Sequence, residues 1–304
     1  MDFGKIDEQE LAAVKFKLPK DPEANARILS KSKKAAKPKI YIGCAKWGRK
    51  DWVGKIYPPK TREADFLKLY AQHFNSIELN ATFYRLPAVA QVEKWKEMVG
   101  KSFLFCPKFS DVISHRKRLK DAGEFTSDFL KGVSAFGDNL GPCFLQMPPN
   151  FTPKSFDVLK AYVESLPSDF EYFVELRHPD WFIGDIASQT FELLEKKKIG
   201  AIITDAAGRR DCVHMHLTKP SAFIRFVGNS LHASDYKRVD DWVNRMKLWL
   251  DEGVKSLYFF MHQHEELYSP ELCAYTIKQM NKVCKLEMQV PQFVNSKGLF
   301  DAED

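Results

Sequence analysis

With 304 residues, 44% of them hydrophobic, 13% aromatic and 28% charged, the chain holds enough apolar material for one large core and is neither a disordered nor a fibrous class. No apolar run approaches the roughly 18 residues of a membrane span, and the opening MDFGKIDEQELAAVKFK mixes charges where a signal peptide needs an apolar stretch, so a cytoplasmic location is expected. The net charge of +6 sits mainly at the start: residues 1–39 hold ten Lys/Arg against six Asp/Glu and the other 265 hold 36 against 34, which weakens the case for a body built to grip phosphate backbones.

In chain order, residues 1–38 read as a basic extension, with a short helix expected within 5–29 and a lysine-rich stretch, KSKKAAKPK, at 31–39. Eight short apolar runs rich in β-branched and aromatic residues follow, at 39–47, 76–84, 103–109, 142–148, 172–178, 200–206, 222–228 and 256–262. Segments with helical spacing separate them, at 61–74, 88–99, 124–138, 153–166, 187–198, 235–251 and 270–283. Strands alternating with helices predict a parallel sheet, because each crossover must carry the chain back before the next strand starts. Eight such units predict a single-domain α/β fold of the (β/α)8 TIM-type barrel class over 39–290, with 291–304 as a tail. A doubly wound open sheet is the runner-up. No glycine-rich loop follows the first strand, which counts against a dinucleotide fold.

Barrel strands are buried on both faces and should be apolar throughout, yet several of these carry charge. In 76–84, Ile77, Leu79, Ala81 and Phe83 alternate with Ser76, Glu78, Asn80 and Thr82, so period two aims Glu78 and Asn80 at the axis. Glu175 and Arg177 in the fifth run and Arg225 in the seventh repeat the pattern. Lys108, Gln146, Asp205 and His262 stand near the C-terminal ends of their runs, where this fold builds its sites. Two readings follow. Three acids and three cations can form a self-neutralising structural network. Alternatively, Glu78 or Glu175 acts as acid or base, Arg177, Arg225 and Lys108 hold an anionic group, Asn80 and Gln146 orient hydroxyls, and Asp205 positions a cation.

The motifs GCAKW (43–47), IELNATFYRLP (77–87), FCPKFSDVISH (105–115), LQMPPNF (145–151) and VELRHPDW (174–181) resemble, in this order, the YecE-like family, domain of unknown function 72. The likeness runs from about residue 40 to 265. It implies a barrel without an established reaction, and it adds Tyr84, Arg85, His115, His178 and Trp181 to the pocket candidates. In the first strand, where many relatives read glycine-threonine-serine-glycine-tryptophan, this chain has Lys46 in place of the second glycine.

Catalytic candidates are therefore Glu78, Glu175 and Asp205. Binding candidates are Asn80, Tyr84, Lys108, His115, Gln146, Arg177, His178, Trp181 and Arg225. His214-x-His216 and His262-x-His264 are the available metal-like spacings, but no carboxylate stands at familiar ligand spacing, so no metal is expected, nor any cofactor. The six cysteines lack C-x-x-C spacing and are expected to be reduced. No serine-hydrolase elbow, zincin motif or P-loop is present. The leading functional expectation is an enzyme using carboxylate acid/base chemistry on a small anionic or polyol ligand, with a phosphorylated or carboxylated sugar as one form. The alternatives are a nucleic-acid-binding or -processing protein contacting through HRKRLK (115–120) and rim aromatics, and a non-catalytic ligand sensor.

Overall fold

Each strand segment is extended by its β-branched and aromatic residues, and an α-helix returns the chain after every strand except the one at 200–205, which is followed by the 3-10 turn Ala207–Cys212; every strand pair is parallel. The computed structural model describes residues 3–32 and 37–294, so part of the lysine-rich stretch and most of the expected C-terminal tail lie outside the described residues. The strands are β1 (Lys39–Cys44), β2 (Ser76–Leu79), β3 (Leu104–Pro107), β4 (Cys143–Gln146), β5 (Tyr172–Glu175), β6 (Gly200–Asp205), β7 (Ser221–Gly228) and β8 (Ser256–Gln263).

These strands do not form the one closed eight-stranded cylinder expected from the sequence. Six of them make a parallel sheet in the order β1-β8-β7-β6-β5-β4, and β2 and β3 make a separate two-stranded sheet. Local chemistry interrupts the ladder on both sides of the small sheet. Between β1 and β2 the bonds run through side chains: Asn75 accepts from Ile42 N at 2.9 Å and donates to Ile40 O at 2.8 Å. The Tyr70 hydroxyl accepts from Cys44 N at 2.7 Å and donates to Ser76 O at 3.0 Å. The chains pass so closely here that a Cβ on Gly43 would lie 2.0 Å from Ser76 O. Between β3 and β4 only isolated bridges form, Phe105 with Leu140 and Lys108 with Phe144, and Pro107 has no N–H to contribute to a ladder.

The principal helices are α1 (Glu23–Ser30), α2 (Phe66–His73), α3 (Ala81–Tyr84), α4 (Val89–Glu97), α5 (Gly123–Ser134), α6 (Phe156–Ser165), α7 (Gly184–Lys196), α8 (Ala233–Glu252) and α9 (Ser269–Cys284). The expected strand over 76–84 stops at Leu79. Asn80 turns to helical angles, and the Thr82 hydroxyl donates to Leu79 O and Lys108 O, which winds 81–84 into α3 instead of extending it.

Period-two alternation divides the interior into two cores. Ile42, Ile77, Leu145, Val174, Ile203, Ile224 and Phe259 pack outward against the helices. Phe144, Phe173, Ile202, Phe223, Phe260, Tyr258 and Cys106 pack against one another inside. Burying each large side chain contributes roughly 1.5–3 kcal/mol, so the aromatic inner core is a rigid floor. At the strands' N-terminal end it is closed by Tyr41 stacked on Tyr258 and by Lys219 bonded to Glu171.

The extension docks on this body. It forms a 3-10 turn at Glu8–Ala13 followed by α1. The Asn25 side chain bonds Met215 O at 2.8 Å and Leu217 N at 2.9 Å, and Asp21 pairs with Arg245 and with Trp249 Nε1 of α8. All six cysteines are free thiols, and all but Cys284 are buried. No helix among the described residues is long and apolar enough to cross a membrane.

Candidate functional site

Above the aromatic floor, the next inward positions toward the C-terminal ends of the strands are polar. Register explains the layer: Thr204 lies beside Arg225, and Gln146 beside Glu175, so side chains one pleat above Ile202, Phe223, Phe144 and Phe173 meet at one level. Arg225 is its hub, fully buried and 5.6 Å above the Phe144 ring. Its Nε and Nη2 each donate to Glu78 at 2.7 Å, and its Nη1 donates to Glu175 at 2.6 Å. Glu175 also accepts from Arg177 Nε at 2.6 Å and from the Thr204 hydroxyl at 2.8 Å. Glu78 accepts from the Asn80 amide at 2.9 Å and bonds His262 Nε2 at 3.0 Å. His262 Nδ1 stands 3.7 Å from Glu266, which accepts from Ser269.

This pairing fixes protonation. Burial pushes both glutamates up, but the guanidiniums overcome it: Glu78 is held well below the usual carboxylate range by Arg225 and then His262, and Glu175 is brought to about 2 by Arg177 and Arg225. Burial lowers His262, yet Glu78 and Glu266 outweigh it and raise the imidazole above its ordinary value. Both carboxylates are thus ionised and saturated.

Lys108 differs. At 7% exposure, its amine donates to Gln146 Oε1, a neutral acceptor, at 2.8 Å and stands 4.1 Å over the Phe83 ring. Among the described residues no carboxylate reaches ion-pair distance. Burial, then the charges of Arg225 and Arg177, bring its pKa down to about 7. His115 meets the Phe83 edge at 5.0 Å and bonds the Ser114 hydroxyl; burial and then Lys108 lower it to about 4. Tyr84, 77% exposed, forms the rim.

The model of the family described as "Protein of unknown function DUF72" matches residues 41–293. The chain belongs to the DUF72 family. It is similar to the UPF0759 protein YecE of Escherichia coli K12, at 29% identity over 280 residues covering 86% of this chain and all of that protein. It also resembles the UPF0759 protein YunF of Bacillus subtilis 168, at 30% identity over 165 residues, 51% of this chain and 57% of that one. Among solved structures, DUF72 family proteins of Enterococcus faecalis V583 and Thermotoga maritima MSB8 superpose with TM-scores of 0.66 and 0.63. Their identities are 18% and 23%; they cover 83% and 82% of this chain and are themselves wholly covered. At that identity the likeness speaks for the fold alone.

In this DUF72 chain the layer gathers Glu78, Asn80, Lys108, Gln146, Glu175, Arg177 and Arg225, with His115 and Tyr84 at the mouth. Three candidates fall elsewhere. Asp205 is one pleat position away from the polar layer and faces α8, where it accepts from Arg238 at 2.8 Å and Trp242 Nε1 at 2.6 Å and pairs with Arg210. Burial raises it, but Arg238 and Arg210 prevail and keep it low. Trp181 is fully buried, stacked on Phe151 and bonded to Phe151 O at 2.6 Å, so it is core and offers no face to a ligand. His178 caps the following turn by accepting from Asp180 N. The two histidine pairs do not converge either: His214 bonds Ile202 O and stacks with Phe182, while His264 bonds Asn229. Among the described residues no three His, Cys, Asp or Glu side chains are grouped to hold an ion.

Thr204 and Glu266 belong to the layer but were absent from the candidate set, and His262, placed at its strand end from the sequence, was given no role there. Strict alternation identifies Thr204, since Ile202 faces inward and Asp205 therefore cannot. Glu266 is signalled only by its spacing four residues after His262. Lys46, the departure in the first strand, is exposed, and its charge helps lower Glu266.

Proposed function

We propose that the chain is an enzyme acting on a small anionic molecule, phosphorylated or carboxylated, bound at the strand ends, with Lys108 as the group that gains and releases a proton. The observation that carries this is the buried Lys108 amine on a neutral acceptor. That amine has Gln146 Oε1 as hydrogen-bond acceptor, and among the described residues no carboxylate lies within ion-pair distance of it. An arriving anion compensates it, raises its pKa and turns it into an acid; loss of the anion makes it a base. The glutamates, saturated by guanidiniums, hold Arg225 and Arg177 in place and are not the proton donors first expected from the sequence.

A purely structural network is argued against by Lys108, because a self-sufficient network has no reason to bury an amine without a counter-ion. A nucleic-acid surface is argued against by the basic run, whose Arg116 pairs with Asp111 at 2.9 Å and whose Arg118 donates to Asn150. The test is a thermal-shift screen of phosphorylated and carboxylated metabolites between pH 6 and 8. A hit whose stabilisation is lost in Arg177→Met and whose turnover is lost in Lys108→Met supports the proposal. A hit that stabilises both variants as it does the parent removes it.

A further inference from the structure

The earliest described residues lie across the mouth. Phe3 sets its ring over the Arg177 guanidinium, 4.1 Å from its carbon to the ring centroid, and over Arg209 at 4.7 Å. The backbone behind it is pinned, with Gly4 O accepting from Gly208 N at 2.9 Å. Gly4 runs at φ +75°, pressed so close to the end of β6 that a Cβ would stand 2.5 Å from Ala206 Cβ, a fit that glycine alone provides. A Cβ on Gly208 would in turn meet Ile6 Cγ2 at 2.6 Å. Further along, Phe16 O accepts from Arg210 at 3.0 Å, and the Phe16 ring faces Arg238 at 4.9 Å. Residues 3–16 are therefore a strap over the C-terminal end of β6 and the 207–212 turn.

We propose that this strap is the gate of the site: Phe3 covers the face of Arg177 that an anion would use, and entry requires residues 3–6 to lift. This rests on reading the mouth as an anion site. Arg177, Lys108 and Gln146 are all nearly sealed, so something must move before a ligand can reach them. The other cover, Phe83, sits on α3, which the Thr82 hydroxyl ties to two carbonyls. Among the described residues, the backbone of 3–6 gives the body a single hydrogen bond. Lifting 3–6 breaks that bond and the Phe3 stack, whereas moving Phe83 unwinds a helical turn.

The test is the rate at which phenylglyoxal modifies Arg177 in the full chain, read by peptide mass spectrometry with exposed Arg62 as the internal reference. Phe3→Ala should speed Arg177 modification about fivefold to thirtyfold, the factor expected when the ring's two cation–π contacts, to Arg177 and Arg209, are removed from an opening equilibrium. Phe3→Trp should keep the parent's rate. If Arg177 reacts no faster in Phe3→Ala, or Arg62 accelerates equally, the gate is overturned. Inorganic phosphate added to Phe3→Ala separates the two ideas: acceleration without phosphate protection leaves the strap standing and removes the anion-site reading, and acceleration with protection supports both.

Discussion

Arg225→Met removes the hub of the polar layer while keeping the length and much of the volume of the side chain. It deletes three short charge-assisted bonds and leaves Glu78 and Glu175 in a site where neither carboxylate meets solvent. Breaking a buried pair in this way costs about 3–5 kcal/mol. Because Glu175 keeps Arg177 and Thr204, and Glu78 keeps His262 and Asn80, the lower half of that range is expected, a fall in Tm of about 5–6 °C for a chain of this size. The loss must also depend on pH. Without Arg225, burial raises the Glu78 carboxyl above all, since Glu175 keeps Arg177, and a raised group contributes stability that is present at low pH and lost as pH rises through its folded pKa. The deficit should therefore shrink between pH 7.5 and pH 5, whereas the contribution of the parent's depressed glutamates is lost only as pH falls below the ordinary carboxylate range. Calorimetry of both proteins across that interval is the assay. A variant melting within about 2 °C of the parent, or a deficit unchanged by pH, would refute the claim that Arg225 is what holds Glu78 ionised.

Lys108→Met should stabilise the protein by a few kcal/mol at pH 6 and much less at pH 9.5. The unfolded lysine stays protonated up to about 10.4 while the folded one does not, so native stability rises with pH across that window; urea titrations at the two pH values check it. Asp205→Asn should cost about 3 kcal/mol through lost contacts to Arg238 and Trp242 of α8 and to Arg210 of the 207–212 turn, and should leave phosphate protection of Arg177 unaltered. Gly43→Ala should destabilise by about 2 kcal/mol or more, since its Cβ would strike Ser76 O and part β1 from β2; a melting curve matching the parent's would contradict this account of the seam. Trp181→Phe keeps the stack on Phe151 but loses the bond to its carbonyl, for about 1 kcal/mol of stability and no change in phosphate protection.

The strand and helix positions were legible because hydrophobic period is local information. All eight strands fall within or beside the apolar runs, and the polar inward residues of β2, β5 and β7 stood out against a pattern that burial should have made apolar. Sheet closure was not legible. Whether β1 meets β2 by a backbone ladder or through Asn75 and Tyr70, and whether Pro107 interrupts the β3–β4 edge, depends on contacts between elements, and eight βα units alone do not decide it. Asp205 was misplaced because closeness to a strand end was weighed above pleat parity, which assigns the axis to Thr204. Trp181 was misread because an aromatic in a motif beside the mouth can as readily seal the core beneath it. The Phe3 stack left no trace in the sequence, since nothing local tells a terminal phenylalanine which guanidinium it will meet.

The most direct measurement is the proton titration of the Lys108 amine by NMR, assigned by its disappearance in Lys108→Arg, with and without inorganic phosphate. The account predicts a midpoint near 7 in the free protein and an upward move when phosphate binds. A midpoint at the ordinary lysine value, or one that phosphate leaves in place, would contradict it.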